Sequence, residues 1–272
     1  MPFDTALDKA STDGSTQFGF WLTIPSAALA RTILRSNASS SAKRFSWVLI
    51  DAEHGFITDQ DYYELSSAVG SEGASPIIRV PWNEEWMIKR ALDAGAHGIL
   101  TPMCHSEADA AKIVQYCKYP PLGSRGYGPA FAPHAFPGLK VGPTYEQGAN
   151  ETLKVMVQIE SKAGVENVEK IAQVEGLDVL LIGPFDLSKQ LQVPRGGEEH
   201  EAAIKRILSA AHAAGKKAAI YCTNGEDAQR RAQQGFDMVS IASIEGALAE
   251  KMQAELDVAT GQTEQTKVER SY

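Results

Sequence analysis

The chain is poor in cysteine, has no run of basic residues and has no long apolar stretch, and each shortage removes a class of function. Its three cysteines, Cys104, Cys117 and Cys222, are odd in number and never form a CxxC pair. Neither a disulfide framework nor a zinc site is expected from them, and they read as reduced packing residues. Basic residues number 26 against 34 acidic ones, a net charge of −8. No cluster could neutralise several phosphates, so no nucleic-acid partner is expected. No apolar run approaches the roughly 20 residues of a bilayer span, and the first 18 residues lack the apolar core of a signal peptide and the arginine-rich pattern of a transit peptide. The expectation is a soluble, cytoplasmic protein with no membrane partner. None of the six histidines forms an HExxH spacing, and no internal repeat or low-complexity block occurs.

What is present is enough apolar mass for one large core: 272 residues, 43% hydrophobic. Short β-branched, apolar runs fall at 18–24, 47–52, 76–81, 98–103, 153–159, 179–182, 217–221 and 238–242. Helix-like stretches separate most of them, which is the alternation of parallel βαβ units. Most runs are almost continuously apolar, as strands buried on both faces must be. Two intervening helices show i, i+3, i+4, i+7 spacing, Ala110-Ile113-Val114-Cys117 and Ile204-Ile207-Leu208-Ala211. Ser106 with Asp109, and Thr58 with Asp61, resemble capping boxes. Gly95, Gly215 and Gly235 stand where helix C-caps belong. The expected fold is an α/β chain forming one (β/α)₈ barrel domain over residues 1–272, with an N-terminal extension at 1–16 and a flexible polar tail at 260–272. The Pro-, Gly- and aromatic-rich segment 118–150 is expected to be a long functional loop.

Barrel enzymes carry their chemistry where strands end, on the C-terminal face. Strand two runs into Asp51-Ala52-Glu53-His54-Gly55, strand three contains Arg79, strand five ends Gln158-Ile159-Glu160, and strand six runs into Gly183-Pro184-Phe185-Asp186-Leu187-Ser188. Glu160 and Asp186, from neighbouring strands, offer two hard oxygen ligands suited to Mg²⁺, Mn²⁺ or a similar cation, with positions left for a bidentate 2-oxo acid. The alternative is that each caps a helix or pairs with Arg79. His54 is the best general base by its intrinsic pKa and its place after a strand, or else a hydrogen-bonded structural residue. Arg79, a guanidinium inside a strand, needs an anion: Glu53, Glu160 or Asp186 in a salt bridge, or a developing enolate oxygen. No lysine sits in a comparable strand interior, which weakens a Schiff-base mechanism.

Together with Arg79-Val80-Pro81-Trp82, Leu92-Asp93-Ala94-Gly95 and Tyr119-Pro120-Pro121-Leu122-Gly123-Ser124-Arg125-Gly126, these blocks resemble the HpcH/HpaI aldolase family over about residues 18–259, and the segment from Glu84 to Phe136 resembles especially its fungal branch that includes macrophomate synthase. The resemblance implies a phosphoenolpyruvate/pyruvate-type barrel and a class II aldolase. Such an enzyme reversibly cleaves a 4-hydroxy-2-oxo acid to pyruvate and an aldehyde through a metal-bound pyruvate enolate, with oxaloacetate decarboxylation as a side activity. The alternative it carries is an enzyme that adds the enolate from oxaloacetate to a pyrone or other unsaturated acceptor. It implies a divalent cation, Mg²⁺ first and Mn²⁺ or Co²⁺ next, on Glu160 and Asp186. It makes His54 the base with Asp93 raising its basicity, gives Arg79 the enolate oxygen, gives Gln158 a substrate contact, and assigns the backbone N–H of Phe185 to the pyruvate carboxylate. It also implies homo-oligomers, commonly hexamers or trimers of dimers, in which the C-terminal helix near residues 245–259 exchanges between subunits.

Overall fold

A computed structural model describes residues 3–11, 14–36, 44–139 and 143–262; most of the expected tail therefore lies outside the described residues. Eight parallel strands close a barrel in sequence order: β1 Gln17–Leu22, β2 Trp47–Asp51, β3 Ser75–Arg79, β4 Gly98–Thr101, β5 Lys154–Ile159, β6 Val179–Ile182, β7 Lys217–Ile220 and β8 Met238–Ser243. Around them run α1 Ala6–Ser11, α2 Ala27–Ser36, α3 Tyr62–Ser71, α4 Glu85–Asp93, α5 Glu107–Cys117 and α6 Pro143–Thr152. There follow α7 Lys162–Glu166, α8 Val168–Ala172, α9 Pro184–Leu191, α10 Glu198–Ala213, α11 Gly225–Gln233 and α12 Ile244–Ala259. The (β/α)₈ architecture is the one the sequence predicts. Each strand ends within two residues of the end of its apolar run.

Strand side chains alternate between two cores. Trp21, Leu49, Ile77, Leu100, Met156, Leu181, Ala219 and their like fill the barrel interior. Their neighbours Phe20, Leu22, Val48, Ile50, Ile78, Ile99, Val155, Val157, Leu180 and Ile182 pack outward against the helices. This period of two decides where chemistry can sit: an inward position near a strand's end faces the mouth. Gly19 is inward as well, and a Cβ there would stand 2.2 Å from the Trp47 ring. A methyl at Gly19 would therefore expel Trp47, the largest inward side chain on β2, at a cost of about 1–3 kcal/mol for overpacking.

At the opposite end, α1 closes the barrel. Leu7 joins the interior cluster, its N–H donates to Ser75 Oγ at 3.2 Å and its carbonyl accepts from Gln17 Nε2 at 3.0 Å. Ser106 caps α5 as expected, accepting from the Asp109 N–H at 3.2 Å. Gly95, Gly215 and Gly235 all take positive φ after their helices. Thr58 and Asp61 differ from expectation. Asp61 accepts from the Thr58 N–H at 2.8 Å and its hydroxyl at 3.0 Å, closing a turn before α3, which starts only at Tyr62. The 118–150 segment also departs from a plain loop, since it contains a 3₁₀ turn at Ala132–Ala135 and ends in α6.

Candidate active site

The β2–β3 register sets Asp51 directly beside Arg79, both inward. Arg79 Nε and Nη2 reach Asp51 Oδ1 and Oδ2 at 2.8 and 2.6 Å, a bidentate pair, with both residues buried. Nη1 lies 2.8 Å from Glu53 Oε2, an ion pair without hydrogen-bond alignment. The guanidinium rests 4.4 Å above the Trp21 ring. Asp51 also accepts the backbone N–H groups of Glu53 and His54, at 3.1 and 3.3 Å, which folds the β2 terminus back over the mouth. Of the partners the sequence leaves open for Arg79, Glu53 is one, but the principal partner is Asp51, which is not among them.

Gln158 is the next inward position of β5, and Glu160, one residue past its end, continues the inward series. Extending the β5–β6 register by one step from Ile159–Ile182 brings Glu160 against Gly183. There the absent side chain matters, since a Cβ would meet Glu160 Oε2 at 2.2 Å and Gln158 Nε2 at 2.8 Å. Glu160 is buried and held at both oxygens. Oε1 accepts from the Met103 N–H at 2.9 Å, and Oε2 takes a short hydrogen bond from Gln158 Nε2. Met103 holds φ at +55°, a region that non-glycine residues seldom adopt. That strain aims its N–H at the carboxylate.

Burial pushes the Glu160 carboxyl up to about 7, against its hydrogen bonds from Gln158 and Met103, and Asp186 and Glu53 add to the rise. Glu53 is likewise raised to about 7, first by burial, with Arg79 opposing and Asp51 and Asp186 reinforcing. Three carboxylates thus share one field, while the nearest guanidinium is already committed to Asp51. Gln158 Oε1 and Trp21 Nε1 are buried without a hydrogen-bond partner among the described residues, so polar capacity is left for a ligand. A divalent cation fits this hard-oxygen donor set on Glu160 and the exposed Asp186. Among the described residues no group of three or more His, Cys, Asp or Glu is arranged for a metal. Water or substrate oxygens would complete the coordination.

Asp186 sits in the first turn of α9, and Phe185 just before it, so the Phe185 N–H is among those that the helix leaves unpaired. The Phe185 ring contacts Tyr221, whose ring contacts Trp21, at centroid distances of 5.9 and 4.8 Å. His54 lies at the mouth with its side chain 67% exposed, 3.8 Å from Glu53 Oε1. Asp93 is elsewhere. It ends α4, and because the helices run antiparallel to the strands, that end faces the N-terminal side of the barrel, away from His54. Its Oδ1 is bound by the buried Arg125 at 2.7 Å, and Arg125 stacks 4.4 Å above Tyr119. One chain therefore does not join His54 and Asp93 in a dyad. The fold gathers His54, Arg79, Gln158, Glu160, Phe185 and Asp186 at the mouth and adds Asp51, Glu53, Met103, Gly183 and Trp21. Inward parity in the sequence could have singled out Asp51 and Gly183; the φ of Met103 had no sequence signal.

The family model described as HpcH/HpaI aldolase/citrate lyase matches residues 17–250. A 2-keto-3-deoxy-L-rhamnonate aldolase of Salmonella gallinarum is 33% identical over 262 residues, covering 96% of this chain and 95% of its own. Among solved structures, a HpcH/HpaI aldolase/citrate lyase family protein from Burkholderia cenocepacia superposes with TM-score 0.84 at 28% identity, covering 93% of this chain and 98% of its own. Macrophomate synthase superposes with TM-score 0.80 at 25% identity, covering 96% and 89%.

Proposed function

The chain belongs to the HpcH/HpaI aldolase/citrate lyase family and is a carbon–carbon lyase of the aldolase kind, and from that premise we propose that it reversibly cleaves a 4-hydroxy-2-oxo acid into pyruvate and an aldehyde. The observation that carries this is the meeting of Glu160, Asp186 and Glu53 in one field beside an inward arginine, a donor set with a place for a divalent cation and for an anionic oxygen. Held by Glu160 and Asp186, with Mg²⁺ the first candidate, such a cation would supply Lewis-acid polarisation of the 2-keto oxygen.

The chain's own groups do the rest. The Phe185 N–H at the α9 terminus receives the substrate carboxylate. His54 takes the C4-hydroxyl proton, the C3–C4 bond breaks, and its electron pair passes into the pyruvate enolate as the aldehyde forms. Arg79, fixed by Asp51, stabilises the negative oxygen, and a proton returned to C3 gives pyruvate. Trp21 and Tyr221 exclude water from one side. Oxaloacetate decarboxylation fits the same groups, since loss of CO₂ yields the enolate without a base. Addition of that enolate to an unsaturated acceptor is the second reading, favoured by the likeness to macrophomate synthase.

The assembly is part of the proposal. Leu248, Met252 and Leu256, at four-residue spacing along α12, are more than half exposed, and only Ile244 of that helix is buried. Beside it, Phe18, Ala228, Ala232 and Ile241 line an open groove of about 500 Å³ between α11 and the β1–β8 seam. A second copy's α12 answers both surfaces, and Asp93 could serve His54 only across a contact between copies.

The test compares three reactions on His54→Ala at saturating metal: aldol cleavage, exchange of pyruvate methyl protons for deuterium, and oxaloacetate decarboxylation. The first two should fall much further than the third. Equal losses would remove His54 as the base, and a wild-type enzyme without exchange would remove the enolate.

A further inference from the structure

Met103 carries backbone strain at the mouth, and a φ of +55° persists there only if the turn around it is fixed from several sides. That turn joins the end of β4 to the start of α5. The Cys104 N–H donates to the Gln158 carbonyl at 3.1 Å, which continues the β4–β5 contact past the strand end. The Cys104 carbonyl lies where a Cβ on Gly164 would meet it at 2.7 Å, so the turn rests on α7 through a glycine. His105, half-buried, holds the rest. Its N–H donates to Asp109 Oδ2 at 3.2 Å, its carbonyl accepts from Asn167 Nδ2 at 2.9 Å, and its Nδ1 lies 2.7 Å from Ser161 Oγ.

Ser161 directly follows Glu160. It is buried and caps α7 by accepting the Gly164 N–H at 3.0 Å, so its hydroxyl has a fixed place. The contacts close a ring. Glu160 Oε1 accepts the Met103 N–H at 2.9 Å, the chain passes through Cys104 to His105, and the imidazole returns to residue 161. Within that ring the contact between imidazole and hydroxyl is the link made by side chains other than the Glu160 carboxylate. We infer that His105 is a positioning residue for the cation site: by bridging to Ser161 it keeps Met103 in its left-handed conformation and the Met103 N–H on Glu160, so that the carboxylate is set before a cation arrives.

This rests on the reading of Glu160 as a cation ligand and says what keeps that ligand in place. A carboxylate held at both oxygens, as Glu160 is by Met103 and Gln158, loses less freedom on binding a cation than one that can rotate. Removing a group that orients a metal ligand weakens metal binding by about 10–100-fold, and His105 acts one step further out, through the backbone of Met103. The conservative replacement follows from geometry. Asparagine carries an amide atom on Cγ where histidine carries Nδ1, so His105→Asn can keep the contact with Ser161, whereas His105→Ala cannot.

The experiment titrates the full chain with Mn²⁺ by calorimetry and melts each variant in chelator. His105→Ala should weaken Mn²⁺ binding about tenfold, the low end of that range, and His105→Asn should recover most of the loss. Ser161→Ala breaks the same contact from the other side and also removes the α7 cap, so it should weaken Mn²⁺ at least as much. Adding His105→Ala to Ser161→Ala should then weaken it little further, because the two residues act through one contact. A role in folding alone would lower the melting temperature in chelator and leave Mn²⁺ affinity at the wild-type value. That result, equal losses in His105→Asn and His105→Ala, or additive losses in the double variant would each overturn the inference. Glu160→Ala separates the two levels: wild-type Mn²⁺ affinity in that variant overturns the cation reading and the clamp with it, whereas weakened binding there beside unchanged binding in His105→Ala overturns the clamp alone.

Discussion

Replacing Gly183 with alanine adds one methyl group at the place where β5 and β6 bring Glu160 and Gln158 together. The backbone there has φ −92° and ψ 89°, so the left-handed penalty that often makes glycine irreplaceable is absent. The conflict is steric: the new Cβ would stand 2.2 Å from Glu160 Oε2, 2.8 Å from Gln158 Nε2 and 3.2 Å from Glu160 Cβ. Reaching even the 3.0 Å floor of real Cβ contacts moves the carboxylate oxygen by 3.0 − 2.2 = 0.8 Å. The Met103 N–H and the Gln158 amide resist that movement, so the ligand leaves its position or drags both partners with it. A displacement of this size in a catalytic array costs on the order of 100-fold in kcat/KM, about 3 kcal/mol. Folding should suffer little, since alanine gains about 0.4–1 kcal/mol from the unfolded state against about 1–3 kcal/mol of local overpacking. Calorimetric titration with Mn²⁺ and melting with and without chelator check the two halves. The rise in Tm that metal confers on wild type should shrink, while the melt in chelator moves by only a few degrees. A folded Gly183→Ala with wild-type Mn²⁺ affinity and kcat/KM would refute the argument that Glu160 is clamped against Gly183 as a ligand.

Glu160→Ala and Asp186→Ala should each abolish turnover while melting near wild type in chelator, and full turnover by wild type verified to be metal-free would contradict the cation assignment. Arg79→Lys should lower kcat by more than it raises KM, with a loss of about 3 kcal/mol in transition-state stabilisation; unfolding in urea should show Arg79→Ala less stable than Arg79→Lys by about 3–5 kcal/mol, because alanine leaves Asp51 buried without a cation. His97, buried between Ser75 Oγ and the Ala135 carbonyl and stacked on Phe136, has its imidazole lowered by burial to about 4. A lowered folded value gives stability that is complete above the unfolded value near 6.5 and is lost as pH falls toward 4, so wild type should lose about 3 kcal/mol over that window relative to His97→Gln. Leu248→Glu with Met252→Glu should reduce the mass of the assembly in light scattering, and an unchanged mass would leave α12 without its partner.

Much of the fold was legible because its strands are buried on both faces and its helices are amphipathic, so period and punctuation agree. The Gly95, Gly215 and Gly235 caps and the Ser106 cap stand where local chemistry places them. The mouth was legible only in part. Residues such as Glu160 and Arg79 announce themselves as charges in apolar runs, whereas Gly183 acts through an absence and Met103 through a backbone angle. Asp93 shows the opposite case. Within one chain a helix C-terminus lies on the far side of the barrel from a strand C-terminus, a polarity readable from element order alone, so the Asp93–His54 pairing that the resemblance implies is open only between copies.

The inward layers of the barrel change character within one residue pair. Leu49, Ile77, Met156 and Leu181 fill space, and the next inward positions along the same strands are Asp51, Arg79, Gln158 and Gly183. Apolar residues of similar volume at those positions would be neutral or stabilising by about 1–4 kcal/mol, judging by other buried ion pairs replaced in this way. The chain instead accepts two carboxyls raised to about 7, a positive φ at Met103 and buried polar atoms without hydrogen-bond partners among the described residues. None of these costs supports the closure of the sheet, which the layer below already secures. They have in common that an added cation and an anionic substrate would relieve them: the cation answers Glu160 and Asp186, and the substrate oxygens answer Gln158, Trp21 and Arg79. A 2-oxo acid on a divalent ion, the substrate and cation proposed for this site, has the charge pattern that would complete this layer.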